Sequence, residues 1–171
     1  MKKFLILILS LVLITGCGAE KVKDNNNENN DRVGYSITIE GTKIMVGDEF
    51  SKISSKLGKD YEYQEVETCA FEGMDKIYSY SDYEIYNYHE KGVEKIYTIT
   101  LLNENVSTDE GITIGSTVEE VVDTYGDNYE DVAGSYVFQK GDTILTFIFD
   151  DGVVTSIEFK IELEGINDEG A

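Results

Sequence analysis

The chain has 171 residues, with 34 acidic against 14 basic side chains and a formal net charge of −20. So negative a surface repels phosphate backbones, which argues against nucleic acid as a partner, and it does not lie on anionic lipid by charge. With two cysteines and one histidine in the whole chain, a zinc site lacks its soft ligands, and no metal or cofactor is expected.

The first stretch reads as a targeting segment. Lys2 and Lys3 precede an apolar run from Phe4 to Ile14 broken only by Ser10. That run is shorter than the roughly 20 residues of a spanning helix, so residues 1–16 read as a signal peptide. The run ends in Ile14-Thr15-Gly16-Cys17, a branched apolar residue and two small residues before a cysteine. This segment resembles the lipobox of bacterial lipoproteins, with Ile14 where that family usually has leucine. The resemblance implies lipidation of Cys17, palmitate-type acyl chains and anchoring on the extracytoplasmic face of the cell membrane, where two chains suffice for stable attachment. Only Cys69 would then remain as a thiol, so no internal disulfide is expected. Residues 17–32 follow as the lipidated cysteine and a polar, disordered spacer. Its Asn/Asp run lacks the spacing and central glycine of an EF-hand loop.

The ordered chain is expected from residue 33. Tyr35, Ile37 and Ile39 alternate with polar residues, a strand with one buried face, and Gly41-Thr42 turns the chain back through Lys43–Val46. Next comes a stretch that recurs. Gly47, Phe50, Ile53, Leu57 and Gly58 align with Gly115, Val118, Val121, Tyr125 and Gly126. Each copy reads as glycine turn, N-cap, apolar helix stripe and glycine stop, with Asp48 capping the first. Ser116 with Glu119 forms a capping box in the second. Thr68–Phe71 reads as a strand and Gly73 with Asp75 as a turn. Lys76–Tyr80, Tyr83–His89 and Lys95–Leu102 then form an antiparallel meander, with Tyr97, Ile99 and Leu101 on one side. After the second copy, Ser135–Gln139, Thr143–Phe149 and Val153–Leu163 repeat the meander, with Asp150-Asp151-Gly152 a hairpin turn. Thr143–Phe149 is apolar on both faces, hence central or doubly covered.

The expected fold class is therefore α+β: a tandem repeat of a helix plus a three- or four-stranded antiparallel meander, in two layers. Unit 1 is 33–103, unit 2 is 104–163, and 164–171 is an acidic tail. The doubled Ile-x-Ile-Gly stretch and its meanders resemble domains of the β-lactamase inhibitor protein. A single unit is similar to the small outer-membrane-assembly lipoproteins. Residues 33–163, with Cys69, Gly73, the tyrosine-rich meander and Gly111-Ile112-Thr113-Ile114-Gly115, look like lipoproteins of clostridia and related Firmicutes. What this implies is an open sheet face used for binding.

Twelve tyrosines are the compositional oddity. Tyr78, Tyr80, Tyr86 and Tyr88 lie at two-residue spacing on neighbouring strands and form the expected binding face, since tyrosine offers a large, stiff contact area with a polar tip. His89 ends its strand beside a turn, where an exposed polar side chain belongs, and no catalytic residue is assigned. Cys69 reads as a small buried hydrophobe rather than a reactive thiol. Asp150 with Asp151, or Asp127 with Glu130, could hold calcium, though Asp-Gly pairs serve hairpins for backbone reasons. The expected function is non-enzymatic binding of an envelope protein or peptide. A thiol- or histidine-dependent enzyme or sensor and a calcium-binding protein are the alternatives.

Overall fold

The computed structural model describes residues 32–67 and 74–163. Cys17, the signal peptide, most of the spacer, the strand expected at 68–71, Cys69, Gly73 and the acidic tail lie outside the described residues. In chain order come β1 (Ile37–Ile39) and β2 (Thr42–Ile44), then two 3₁₀ turns at Phe50–Lys52 and Ser54–Lys56. They are followed by β3 (Glu62–Glu67), β4 (Met74–Ser79), β5 (Tyr83–Glu90) and β6 (Val93–Leu101). Helix α1 (Val118–Tyr125) leads into β7 (Glu130–Val132), β8 (Ser135–Lys140), β9 (Thr143–Asp150) and β10 (Val153–Ile161).

This architecture overturns the expected tandem of helix-plus-meander units and, with it, a fold of the β-lactamase inhibitor type. The chain is mostly β. Strands β1 and β2 form a two-stranded sheet, and the other eight form one antiparallel sheet in the order β3-β4-β5-β6-β10-β9-β8-β7. The two meanders do not stand as separate sheets because their last strands pair, with Ile99 opposite Phe159 and Leu101 opposite Ile157. Two strands, β3 and β7, lie where no alternating apolar pattern marks them.

The helix content also shrinks for a local reason. In the second copy, Thr117 rather than Ser116 caps the helix. Its Oγ1 accepts the Glu120 amide at 3.2 Å while Glu120 Oε2 accepts the Thr117 amide at 2.7 Å. In the first copy no side chain caps either turn. The Asp48 carboxylate instead accepts the Met45 amide at 3.0 Å. The Ser51 hydroxyl donates to the Glu49 carboxylate at 2.5 Å, and serines, here also at 54 and 55, are weaker helix formers than alanine or leucine. The result is two 3₁₀ turns where an α-helix was expected.

The repeated glycine turns nevertheless do one job twice. The Gly47 amide donates to the Ile96 carbonyl and the Ile96 amide to the Asp48 carbonyl. Likewise Gly115 donates to Val154, and Val154 to Ser116. Each turn thus adds a short antiparallel bridge to β6 or β10, Glu49 with Lys95 and Thr117 with Val153, on the stretch of strand outside the β6–β10 pairing.

One face of the large sheet, here the inner face, is buried. Ile85, Ile99, Leu101, Ile157, Phe159, Leu145, Phe147 and Phe138 point into it. Ile37, Ile39, Ile44, Val46, Phe50, Ile53, Leu57, Ile112 and Val121 join the same core from the elements that cover the sheet. Tyr125 of α1 packs its ring 5.2 Å from Phe147 and 5.4 Å from Phe138. Arg32 ties the chain entering the domain to this layer, donating to the Val46 carbonyl and to Asp142 at 2.9 Å each.

At the β8–β9 turn, Gly141 has φ +64°, and a Cβ there would stand 2.0 Å from the Val33 carbonyl oxygen. Gly58 has φ +81° with open space around it. Gly141→Ala is expected to cost about 3 kcal/mol, backbone strain plus a clash with backbone. Gly58→Ala should cost only about 1 kcal/mol. Urea unfolding of both variants measures the difference.

Candidate functional site: the outer sheet face

Strand pairing sorts the tyrosines by side, because directly opposed residues of an antiparallel pair project to the same face. Tyr78 pairs with Ile85 and is an inner-face residue. It is 8% exposed, its ring lies 4.4 Å from Phe50, and its hydroxyl donates to Glu94 at 3.0 Å. Tyr80 is equally buried, stacked on Tyr83 at 4.5 Å. Burial raises both phenols, Tyr80 to about 12. These two are core, and the four expected tyrosines do not share a face. The two-residue spacing puts Tyr78 and Tyr80 on one side, and that side is the covered one.

Tyr86 and Tyr88 lie on the other side. Tyr86 is opposite Thr98 and Ile77 and half-buried. Its hydroxyl donates to Asp75 Oδ2 at 2.8 Å. Burial first, then that hydrogen bond and the Asp75 charge, raise its phenol. Tyr88, at 3% exposed, is buried rather than presented, and burial followed by the Glu90 charge pushes it up to about 12. Asp75, expected in a turn, is a fully buried residue of β4.

Tyr97 joins this outer face unexpectedly. The pairing runs Tyr86 to Thr98 and then Asn87 to Ile96, so Tyr97 is an extra residue, a β-bulge. The bulge turns Ile96 into the core, where it is fully buried. It releases Tyr97 from the Ile99 and Leu101 side where strict alternation put it. Its ring then lies 6.0 Å from Tyr86 and 5.9 Å from Tyr88, with the Lys160 ammonium 5.4 Å from its centroid. The only sequence signal is the adjacent apolar pair Ile96-Tyr97, which breaks the period of two.

Across the sheet, one outer row runs Ile77, Tyr86, Thr98, Lys160, Ile144 and Gln139. The neighbouring row runs Ser79, Glu84, Thr100, Glu158, Thr146 and Val137. From Ile77 to Ile144 and from Ser79 to Val137 every residue is half-buried. Such a surface mixes aromatic, aliphatic and hydroxyl groups with few charges, the composition of a protein-contact surface rather than of a solvated one.

The inner side carries a polar cluster at its β4–β6 end. Glu94 accepts from Lys76 at 2.8 Å, from Asn87 at 2.8 Å and from Tyr78. Burial pushes the Glu94 carboxyl up, but the Lys76 and Asn87 hydrogen bonds, the Lys76 charge and Tyr78 together outweigh it and leave it below the usual value. His89 sits opposite Glu94 in the strand pairing, and its buried Nδ1 has no hydrogen-bond partner. Among the described residues no group of three or more histidine, cysteine, aspartate or glutamate side chains could hold a metal. No described helix is long and apolar enough to cross a membrane.

Compared with known proteins, the chain matches no family model, no curated protein and no solved structure.

Proposed function

We propose that the protein is a membrane-anchored extracytoplasmic lipoprotein. Its domain acts as a non-enzymatic binding module for another envelope protein or peptide. The anchor reading rests on Lys2, Lys3, the apolar run and Cys17 in lipobox register. The binding reading rests on one observation above all. Two half-buried outer rows cross the sheet, from Ile77 through Tyr86 and Thr98 to Ile144 over five strands and from Ser79 to Val137 over six. A partner with a flat, mixed polar and apolar surface would complete their burial, with Tyr86 as the stiff aromatic contact.

Tyr86→Ala is a poor probe, because removing its hydroxyl takes a donor from the fully buried Asp75 and lowers stability first. Thr100→Arg adds bulk and charge to the same face and removes no side-chain hydrogen bond to another described residue. Its expected effect is loss of the partner complex, about tenfold or more in affinity, at an unchanged melting temperature. An unaltered complex would refute the face. Cys17→Ser is expected to shift the protein from the membrane to the soluble fraction in cell fractionation. A variant that stays membrane-bound would refute the anchor independently.

A further inference from the structure

A sheet of this kind has two edges. One ends in β7, three residues long, and the other in β3, six residues long. All six residues of β3 pair with β4, from Glu62 with Ser79 to Glu67 with Met74. Among the described residues no strand pairs with its opposite side, which is the edge of the sheet. An edge strand turns alternate N–H and C=O groups outward, a template onto which another extended segment can pair. Six residues offer roughly 20 Å of such template; three offer too little.

The side chains say what can pair there. Strand β3 reads Glu-Tyr-Gln-Glu-Val-Glu, five of its six residues are exposed, and it contains no basic residue. The nearest cation across the pairing, Lys76 opposite Glu65, is held by Glu94 at 2.8 Å. A second copy of the same edge would set glutamates against glutamates, which disfavours pairing. Lysine or arginine at alternate positions would instead meet Glu65 and Glu67, which share the face of Tyr63. The aromatic rings add a shelf. Tyr61 and Tyr63 are 38% and 45% exposed and lean on buried Tyr78 at 5.1 and 5.2 Å. The Tyr63 hydroxyl bonds to Glu65, which fixes a ring face beside a carboxylate. A cationic side chain entering there gains both.

We propose that β3 receives an extended basic peptide segment as a ninth strand of the sheet. This surface is separate from the outer face, so either can fail without the other. Main-chain pairing supplies the affinity, and the acidic side chains select the partner.

The test titrates the full chain in detergent with a synthetic peptide of alternating lysine and threonine, using alternating glutamate and threonine as control. Amide hydrogen exchange is read along β3. The expected result is binding of the basic peptide alone, with slowed exchange at alternate β3 amides. Glu65→Lys with Glu67→Lys should weaken it at least tenfold, while Glu119→Lys with Asp123→Lys on α1 leaves it unchanged. Binding without β3 protection, or equal weakening by both variants, overturns the proposal and reduces the effect to bulk charge. No binding, or a chain that dimerises through β3, overturns it as well. The exchange measurement needs no variant, so a misfolded charge reversal does not blunt the test.

Discussion

Phe159→Ala is expected to remove about 3–5 kcal/mol of stability, the usual cost of truncating a fully buried aromatic. Phe159 is 1% exposed and sits between Ile99 of β6 and Leu145 of β9. It therefore lies at the seam where the two meanders become one sheet. The size of the loss separates two pictures of the molecule. If the halves had independent cores, truncation at their junction would unfold one and leave the other, giving two transitions. A single eight-stranded sheet loses both together in one transition at lower denaturant. Equilibrium urea unfolding followed by tyrosine fluorescence and by far-ultraviolet circular dichroism checks both points.

Glu94→Ala is expected to cost about 3 kcal/mol, more than its exposure suggests. The carboxylate is 19% exposed and holds the Lys76 ammonium, itself 24% exposed, at 2.8 Å. It also holds the Asn87 amide and the Tyr78 hydroxyl. Removing it leaves a half-buried cation and two donors without their acceptor, and a stranded partner is costlier than the pair was favourable. The pH dependence follows from the direction of the shift. The folded carboxyl lies below its unfolded value, so its stabilisation is complete above the unfolded value of about 4.3. It is lost as pH falls through the lower folded value. The stability difference between the native chain and Glu94→Gln should therefore be largest near neutrality and shrink below about pH 4. A difference that grows on acidification would contradict the assignment.

Much of the inner face was legible because burial on one side enforces a period of two. Ile85, Ile99, Leu101, Ile157 and Phe159 follow that period and all are core. The Asp151-Gly152 turn was legible because both residues have positive φ, which few sequences tolerate. Helix α1 was legible to within one residue at its cap. Strands β3 and β7 were not, since an edge strand exposed on both faces has no apolar alternation to read. The first copy of the repeated stretch misled for a different reason. Phe50, Ile53 and Leu57 keep helical spacing and are all buried, yet a 3₁₀ path buries the same residues. Spacing alone cannot tell the two apart when no cap fixes the first turn.

The tyrosine site shows a further limit. Tyr78 and Tyr86 carry the same side chain on neighbouring strands, and pattern alone does not say which side the covering elements take. Tyrosine suits either side because its ring is apolar and its hydroxyl can find a partner, Glu94 for one and Asp75 for the other. The bulge at Tyr97 then moves a residue from one face to the other. That move depends on how β5 and β6 register, a property of the pair rather than of either strand.

The most direct test of the binding surface places a photo-crosslinking side chain at Thr98 on the outer face. The control position is Glu119 on α1, which belongs to the layer over the opposite face. Both are read in the lipidated protein on its own membrane. A discrete adduct from Thr98 that is absent from Glu119, and lost when Thr100→Arg is added, is the predicted result. Adducts from Glu119 alone, or the same adducts from both positions, would contradict it.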